Sequence, residues 1–210
     1  EHACVIMDMK EPPLRVRNGT PGGINVMDAL GAWQLARELK EATGKPGAAS
    51  FKHVSPAGAA VARSLSEAFR RCQMIPEENL SPIATAYARA RGGDRMSSFG
   101  DCAALSDPAD ADVATLLRRE VSDAIIAPGY DREALEVLKE KKGGNYVIFE
   151  IDPDYEPPEM EVKDLMGLQL EETRNTARVT QDQLDNIVSE KQDLPEDAAE
   201  TLLVVTVALK

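Results

Sequence analysis

The stretch GAASFKHVSPAGAA, residues 47–60, places a lysine and one of the two histidines of the chain at the end of a run of small residues. Its first half predicts a short buried strand, and Pro56 and Gly58 predict the end of that strand. Adjacent side chains on a regular strand point to opposite faces, so Lys52 and His53 can reach one ligand only where the strand stops. The lysine ammonium disfavours a second positive charge beside it, which favours the neutral imidazole that a general base requires.

Two adjacent residues are a weak motif on their own. The alternative reading is a solvated lysine at a strand end, beside a histidine that is hydrogen-bonded to a neighbouring loop. The residues on both sides of the pair are therefore needed to choose between a catalytic pair and an ordinary strand end.

Strands and helices alternate along most of the chain. Helical spacing over residues 24–43 ends at Gly44 and Pro46, and Ser81 and Pro82 are typical of an N-cap and a first helical residue. Further strands are predicted at residues 3–9, 14–17, 95–105, 123–127 and 146–151, and further helices at 108–120 and 131–142. This order indicates an α/β fold, with a layered mixed sheet covered by helices.

The composition changes after residue 152. Residues 152–159 are acidic and proline-rich, 162–172 predict one further strand, 180–191 a polar helix, and 193–209 the start of another element. We therefore expect residues 1–152 to form one α/β domain. Residues 153–210 are expected to form an acidic linker and a small, partly helical segment that leads into a second half outside this chain. The chain starts without a methionine and stops inside an apolar segment, so we expect it to be a fragment.

Composition excludes several classes of function. The chain has 24 Lys and Arg against 36 Asp and Glu, a net charge of −12, which argues against nucleic-acid or anionic-membrane binding. A local cluster of Arg89, Arg91 and Arg95 could still attract a small anion. We expect no signal peptide, and the sequence has no apolar run of transmembrane length. The 3 cysteines lack metal-ligand spacing, so free thiols and no metal site are expected.

Four blocks of sequence carry a resemblance to one enzyme family. Residues 18–25, 48–61, 87–101 and 119–130 resemble, in this order, the transformylase portion of the bifunctional purine-synthesis enzyme that pairs AICAR transformylase with IMP cyclohydrolase. Several long blocks in order are more specific than any short motif. The likeness covers nearly all of this chain but only the first half of the family's transformylase portion.

The resemblance implies a cytidine-deaminase-like fold. Zinc deamination needs a His-x-Glu site and a Pro-Cys-x-x-Cys pair, and the sequence contains neither. The glycine-rich segments at residues 19–23 and 91–94 also lack the Gly-Lys-Ser/Thr ending of a phosphate-binding loop. We therefore expect the deaminase-like fold without the deaminase zinc site.

The resemblance also implies a reaction, namely formyl transfer from the co-substrate 10-formyltetrahydrofolate to the 5-amino group of AICAR. In this reading His53 is the proton acceptor and Lys52 stabilises the transition state. Gly100, through its backbone, and Asp123 bind the nucleotide. The alternative for Asp123 is a cap at a helix-to-strand turn. Asn25 is a candidate substrate contact, for which capping of the helix is the alternative.

The family further implies a cytosolic homodimer whose active site is shared between subunits, and an upstream IMP cyclohydrolase domain in the parent protein. The enzyme class is phosphoribosylaminoimidazolecarboxamide formyltransferase, and no metal is required. We expect the isolated 210-residue chain to carry the catalytic pair but little transformylase activity. The rival is a non-catalytic truncated relative that acts as a nucleotide-binding or dimerisation module.

Overall fold

The computed structural model of this chain describes residues 12–210. The strand predicted at residues 3–9 lies outside the described residues. The strands are β1 Leu14–Asn18, β2 Gly47–Lys52, β3 Ser55–Val61, β4 Asp101–Leu105, β5 Ser122–Ala127, β6 Val147–Ile151, β7 Met160–Leu165 and β8 Leu168–Thr173. The α-helices are α1 Gly23–Thr43, α2 Glu67–Cys72, α3 Pro82–Gly93, α4 Ala111–Arg119, α5 Arg132–Glu140 and α6 Glu196–Leu209.

Six of these strands form one mixed sheet in the order β1-β6-β5-β4-β2-β3. The three central strands β6, β5 and β4 are parallel, and β1, β2 and β3 are each antiparallel to the neighbours with which they pair. Helices cross between the parallel strands, as that geometry requires. The predicted α/β class, a layered mixed sheet covered by helices, is confirmed.

The core has two layers, one on each face of the sheet. One layer contains α3, α4 and α5 with Tyr87, Leu117 and Leu138, and the other contains α1 with Trp33 and Phe149. Alanines fill the middle of β2 and β4, so helices approach the sheet closely. The low aromatic content of the chain therefore suits a thin, tightly packed sandwich.

Helix α6 lies against α1 on the second face. Its Leu203 and Val207 are buried, and its Glu200 accepts contacts from Lys45 and Arg63, the latter with 2.5 Å between Arg63 Nε and Glu200 Oε1. The hairpin β7–β8 is a separate two-stranded sheet. The element predicted at residues 193–209 is therefore the helix α6, which packs back onto the α/β layers.

Strand β3 passes very close to α3. Gly58 on β3 faces the backbone of Ala90, and a Cβ built on Gly58 would lie 2.0 Å from the Ala90 carbonyl oxygen. Gly58 pairs with Ser50 in the β2–β3 ladder. The glycine thus allows the strand and the helix to touch through their backbones.

Several predicted elements were wrong in extent. The strand expected at residues 95–105 covers only β4, because Asp94 accepts hydrogen bonds from Met96 N and Ser97 N and folds residues 94–100 into turns. The single strand expected at 162–172 is the hairpin β7–β8. The polar helix expected at 180–191 is reduced to a 3₁₀ turn, Gln181–Leu184, since it has no apolar face to bury.

Within residues 12–210, no helix combines the length and the apolar character that crossing a bilayer would require.

Candidate functional site

The predicted strand end is present at Lys52, but Pro56 and Gly58 do not form it. Strand β2 stops at Lys52, and β3 begins at Ser55, so His53 and Val54 alone form the turn. Both have positive φ, 55° at His53 and 58° at Val54. This is the geometry of a two-residue type I′ hairpin, which normally selects Asn-Gly. Pro56 lies inside β3 and does not end a strand, a position it can occupy because β3 is at the edge of the sheet.

The side chain of Asp28, on α1, supports this turn. Its Oδ1 accepts a hydrogen bond of 2.6 Å from the backbone N–H of Val54. Asp28 is 7% exposed and lies on the buried face of the helix. A charged residue in the apolar stripe of α1 therefore contacts the turn that carries His53.

Lys52 points along the sheet edge toward the loop before β4. Its Nζ donates a hydrogen bond of 2.6 Å to the carbonyl oxygen of Phe99. The next residue, Gly100, has φ +79°, in the left-handed region that favours glycine. A Cβ on Gly100 would lie 3.5 Å from Asp123 Oδ2 and 3.9 Å from Lys52 Nζ. Lys52, Gly100 and Asp123 therefore meet at one point.

Asp123 forms an ion pair with Lys142, and both side chains are about half exposed. Lys142 lies in the turn Lys141–Gly144 and also has positive φ, 54°. The alternative in which Asp123 only caps a turn is not what the structure shows, because its hydrogen bond is to a side chain. The pair places a cation beside the carboxylate that was expected to bind the nucleotide.

Asn25 lies at the N-terminus of α1, as predicted. Its Oδ1 accepts a hydrogen bond of 2.8 Å from Gly22 N, so it caps the helix. The structure does not bring Asn25 into contact with Lys52, His53 or Asp123. The capping alternative accounts for Asn25 in this chain, and a substrate contact remains a prediction.

An open cleft of about 420 Å³ adjoins these residues. Its lining comprises Lys52, His53, Ser55, Pro56, Ala57, Asp94 and Ser97. His53 is exposed and faces this cleft from the turn, while Lys52 reaches from the cleft toward Gly100. The cleft is therefore polar, with a cation, an imidazole and a carboxylate at its rim.

The arginine cluster is not free to bind an anion, contrary to expectation. Arg91 is 4% exposed, and its Nη1 and Nη2 donate to the carbonyl oxygens of Ser98 and Val121 at 2.8 and 3.1 Å. Arg95 pairs with Glu120, and Arg89 donates to the Val61 carbonyl oxygen. These arginines are structural because they hold the backbone on both sides of the site.

Arg91 also belongs to a buried polar network under the cleft. Its Nη1 lies 2.8 Å from Oδ1 of Asp101, which is fully buried, and Ser50 Oγ donates to Asp101 Oδ2 at 2.7 Å. The Arg91–Asp101 contact is an ion pair without aligned hydrogen bonds, because Asp101 Oδ1 has no hydrogen-bond partner among the described residues. Burial raises the pKa of the Asp101 carboxyl, and the Arg91 guanidinium opposes that rise.

The network fixes the two segments that carry site residues. Ser50 is two residues before Lys52 on β2, and the Val121 carbonyl oxygen that Arg91 holds also accepts from Gly100 N at 2.9 Å. Tyr87 OH donates to Asp101 Oδ2 at 3.2 Å. These contacts tie the end of β2, which carries Lys52, to the segment around Gly100.

The remaining reactive groups nearby do not add to the site. Cys102 is 3% exposed, and burial, together with nearby carboxylates, raises the pKa of its thiol well above the ordinary value, so it is not an activated nucleophile. In the part of the chain that the structure describes, no group of three or more His, Cys, Asp or Glu side chains could hold a metal ion. The second histidine, His2, lies outside that part.

Sequence reasoning missed two residues of the site, Asp28 and Lys142. Asp28 could have been noticed as a charge inside the apolar stripe of a predicted helix. Lys142 could have been noticed because a Lys-Lys-Gly-Gly segment directly before a buried strand predicts a tight turn that presents a lysine. In neither case does the sequence reveal the partner, which is distant along the chain.

Comparison with known proteins agrees with the resemblance in the sequence. Residues 9–210 match the family model described as AICARFT/IMPCHase bienzyme. The chain is 30% identical over 184 residues to the bifunctional purine biosynthesis protein PurH of Roseobacter denitrificans, over 88% of this chain and 31% of that protein. It is 31% identical over 185 residues to PurH of Cereibacter sphaeroides, with the same two coverages of 88% and 31%.

The chain thus spans less than a third of the length of the curated relatives it matches. The family model, in contrast, extends over nearly all of its residues. From this match, and from the ordered blocks of similar sequence on the α/β fold described above, we conclude that the chain belongs to the AICARFT/IMPCHase bienzyme family.

Proposed function

We propose that this chain carries the nucleotide-binding part of a formyl-transfer site in purine biosynthesis. The reaction is transfer of the formyl group of 10-formyltetrahydrofolate to the 5-amino group of AICAR, catalysed by the parent enzyme. The observation that carries the proposal is the convergence of Lys52 and Asp123 on Gly100, beside the turn that presents His53 to the cleft. Family membership supports it, since the relatives are named bifunctional purine biosynthesis proteins.

The chemistry needs a base and an anion-stabilising group. The AICAR amine nitrogen attacks the formyl carbon, and its lone pair is weak because it is delocalised into the imidazole ring. His53 takes the proton that the amine loses as the new C–N bond forms. Lys52 stabilises the oxyanion on the former formyl oxygen. The bond between the formyl carbon and N10 then breaks, N10 gains a proton, and the products are formyl-AICAR and tetrahydrofolate.

The groups around Gly100 suit a ribonucleotide. The Asp123 carboxylate can accept hydrogen bonds from ribose hydroxyls. Gly100 has no side chain, so the ligand can approach its backbone closely. Lys142 is half exposed and can turn from Asp123 toward a negatively charged group on the ligand. The site therefore offers the Asp123 carboxylate as an acceptor for the sugar and, in direct contact with it, the Lys142 ammonium as a movable cation.

The parts of the reaction outside these residues are proposed from the family. They are the reduced-folate pocket, a homodimer with a shared active site, an IMP cyclohydrolase activity of the parent protein, and a place in the cytosol. The fragment reading of residues 153–210 as the beginning of a second half belongs with them. No metal takes part in the proposed reaction.

Calorimetric titration with AICAR tests the proposal on the chain itself. We expect measurable binding by the wild type and at least about tenfold weaker binding by Asp123→Asn, a loss of about 1.4 kcal/mol. Asp164→Asn is the matched control, because Asp164 is an exposed carboxylate on the β7–β8 hairpin. Lys52→Met and its control Lys191→Met are compared in the same way, since Lys191 is also exposed.

Two results would contradict the proposal. One is equal binding by wild type and Asp123→Asn, which would show that AICAR binds elsewhere. The other is a folded wild-type chain that releases no heat with AICAR. That result would favour the rival, a non-catalytic module, and analytical ultracentrifugation would then test whether the module dimerises.

A further inference from the structure

The turn that presents His53 has an unfavourable backbone. His53 and Val54 both have positive φ, and for a β-branched residue such as Val54 this is a true outlier. Val54 is 47% exposed, so packing of its side chain does not compensate for the cost. Strain of this kind persists only where the surroundings hold it, and it collects at functional sites. Another contact must therefore stabilise the turn.

Asp28 provides that contact. In a two-residue hairpin the ladder joins the flanking residues, here Lys52 and Ser55, so the Val54 N–H has no ladder partner. Asp28 Oδ1 accepts a hydrogen bond from this N–H at 2.6 Å, and a hydrogen bond to an ionised carboxylate is stronger than a neutral one. Because Asp28 is 7% exposed and the bond is partly buried, competing water is partly excluded from it.

We infer that Asp28 is a positioning residue for His53. It holds the turn in the left-handed conformation and thereby fixes the position of the His53 imidazole, next to Lys52 at the cleft. If the turn relaxed to the ordinary extended region, His53 would follow the alternation of the strand and point away from Lys52. The functional part of this inference rests on the proposed role of His53 as the proton acceptor. The conformational part does not.

Hydrogen exchange on the ¹⁵N-labelled full chain measures the conformational part. We expect Asp28→Ala to raise the exchange rate of the Val54 amide at least about tenfold, about 1.4 kcal/mol, and to shift the His53 imidazole resonances. Those resonances are assigned with His53→Gln, since the chain has only 2 histidines. The amide of Ala104, in the middle of β4, serves as the control for global opening and should not change.

Two further variants separate positioning from general destabilisation. Asp28→Asn keeps an acceptor oxygen without the charge, so it should lose less protection than Asp28→Ala, and it carries the test if Asp28→Ala does not fold. The double variant Asp28→Ala/Val54→Gly should return the His53 resonances toward the wild-type position, because glycine adopts positive φ without strain. A global loss of stability would not be rescued in this way.

The inference is overturned if the Val54 amide exchanges at the wild-type rate in Asp28→Ala, or if Ala104 accelerates by the same factor. It is also overturned if Val54→Gly gives no rescue. The proposed function fails separately, through absence of AICAR binding by the wild type. In that case the inference loses its link to catalysis. An effect of Asp28→Ala on the turn would still support the conformational part.

Discussion

Replacing Gly58 with alanine should separate β3 from α3. The added Cβ would lie 2.0 Å from the Ala90 carbonyl oxygen, and real Cβ atoms do not approach closer than 3.0 Å, so the two elements must move apart by roughly 1 Å. The Ala90 carbonyl oxygen is a backbone atom and the position of a Cβ is fixed by its own backbone, so no side-chain rotation relieves the contact. Overpacking of this kind costs about 3 kcal/mol, at the upper end of the usual range.

Urea unfolding followed by circular dichroism measures this loss. A cost of about 3 kcal/mol corresponds to a decrease of about 1–2 M in the midpoint at an unchanged slope. Gly93→Ala is the matched control, because a Cβ there meets only the Cα of Gly58, at 4.0 Å. Alanine is the better helix former, so the control should be neutral or stabilise by about 0.5–1 kcal/mol. Equal midpoints for Gly58→Ala and the wild type would refute the close approach of the two backbones.

Three further predictions concern the buried network, the α6 contact and the site. Arg91→Met should cost about 3–5 kcal/mol of unfolding free energy, because it leaves Asp101 buried without its cation, and Arg91→Met/Asp101→Asn should recover part of that loss in urea. Burial raises the pKa of Glu200, but its two basic partners outweigh burial and hold that pKa below the ordinary 4.5. The stabilisation that the ionised Glu200 gives the folded chain is therefore complete above pH 4.5. It is lost as the pH falls through the lowered pKa that Glu200 has in the folded state, so Glu200→Gln should destabilise the chain at pH 7 and have little effect at pH 2. Gly100→Ala should cost about 1–2 kcal/mol through its positive φ, and it should weaken AICAR binding in calorimetry at least about tenfold, because its Cβ would approach the Asp123 carboxylate. Wild-type affinity in that variant would contradict the nucleotide assignment.

The long elements could be predicted from the sequence because local signals agree there. Helix α1 shows helical spacing and ends at Gly44, whose φ of 70° is the left-handed C-cap expected of glycine. Strand β6 is a run of apolar residues between turns. The prediction of a strand was wrong for residues 95–100, since the apolar and hydroxyl residues there suit a strand while the Asp94 side chain supplies competing turn contacts.

The site was predictable in its residues but not in its geometry. Lys52 and His53 were expected at a strand end, and that end is present. The turn itself could not be predicted, since His-Val is a poor sequence for a type I′ hairpin and is held there by Asp28 from another element. The Asp123–Lys142 pair likewise depends on the parallel packing of β5 and β6, which local sequence does not encode.

The order of strands in the sheet also has a kinetic consequence. The β2–β3 hairpin joins residues that are close along the chain, so its ladder can close within microseconds. Strand β1, in contrast, pairs with β6 from the other end of the α/β region. Closing the long loop between these two strands costs conformational entropy before the contacts between them can form. The hairpin that bears Lys52 and His53 should therefore form early in folding, and the β1 edge should be added last.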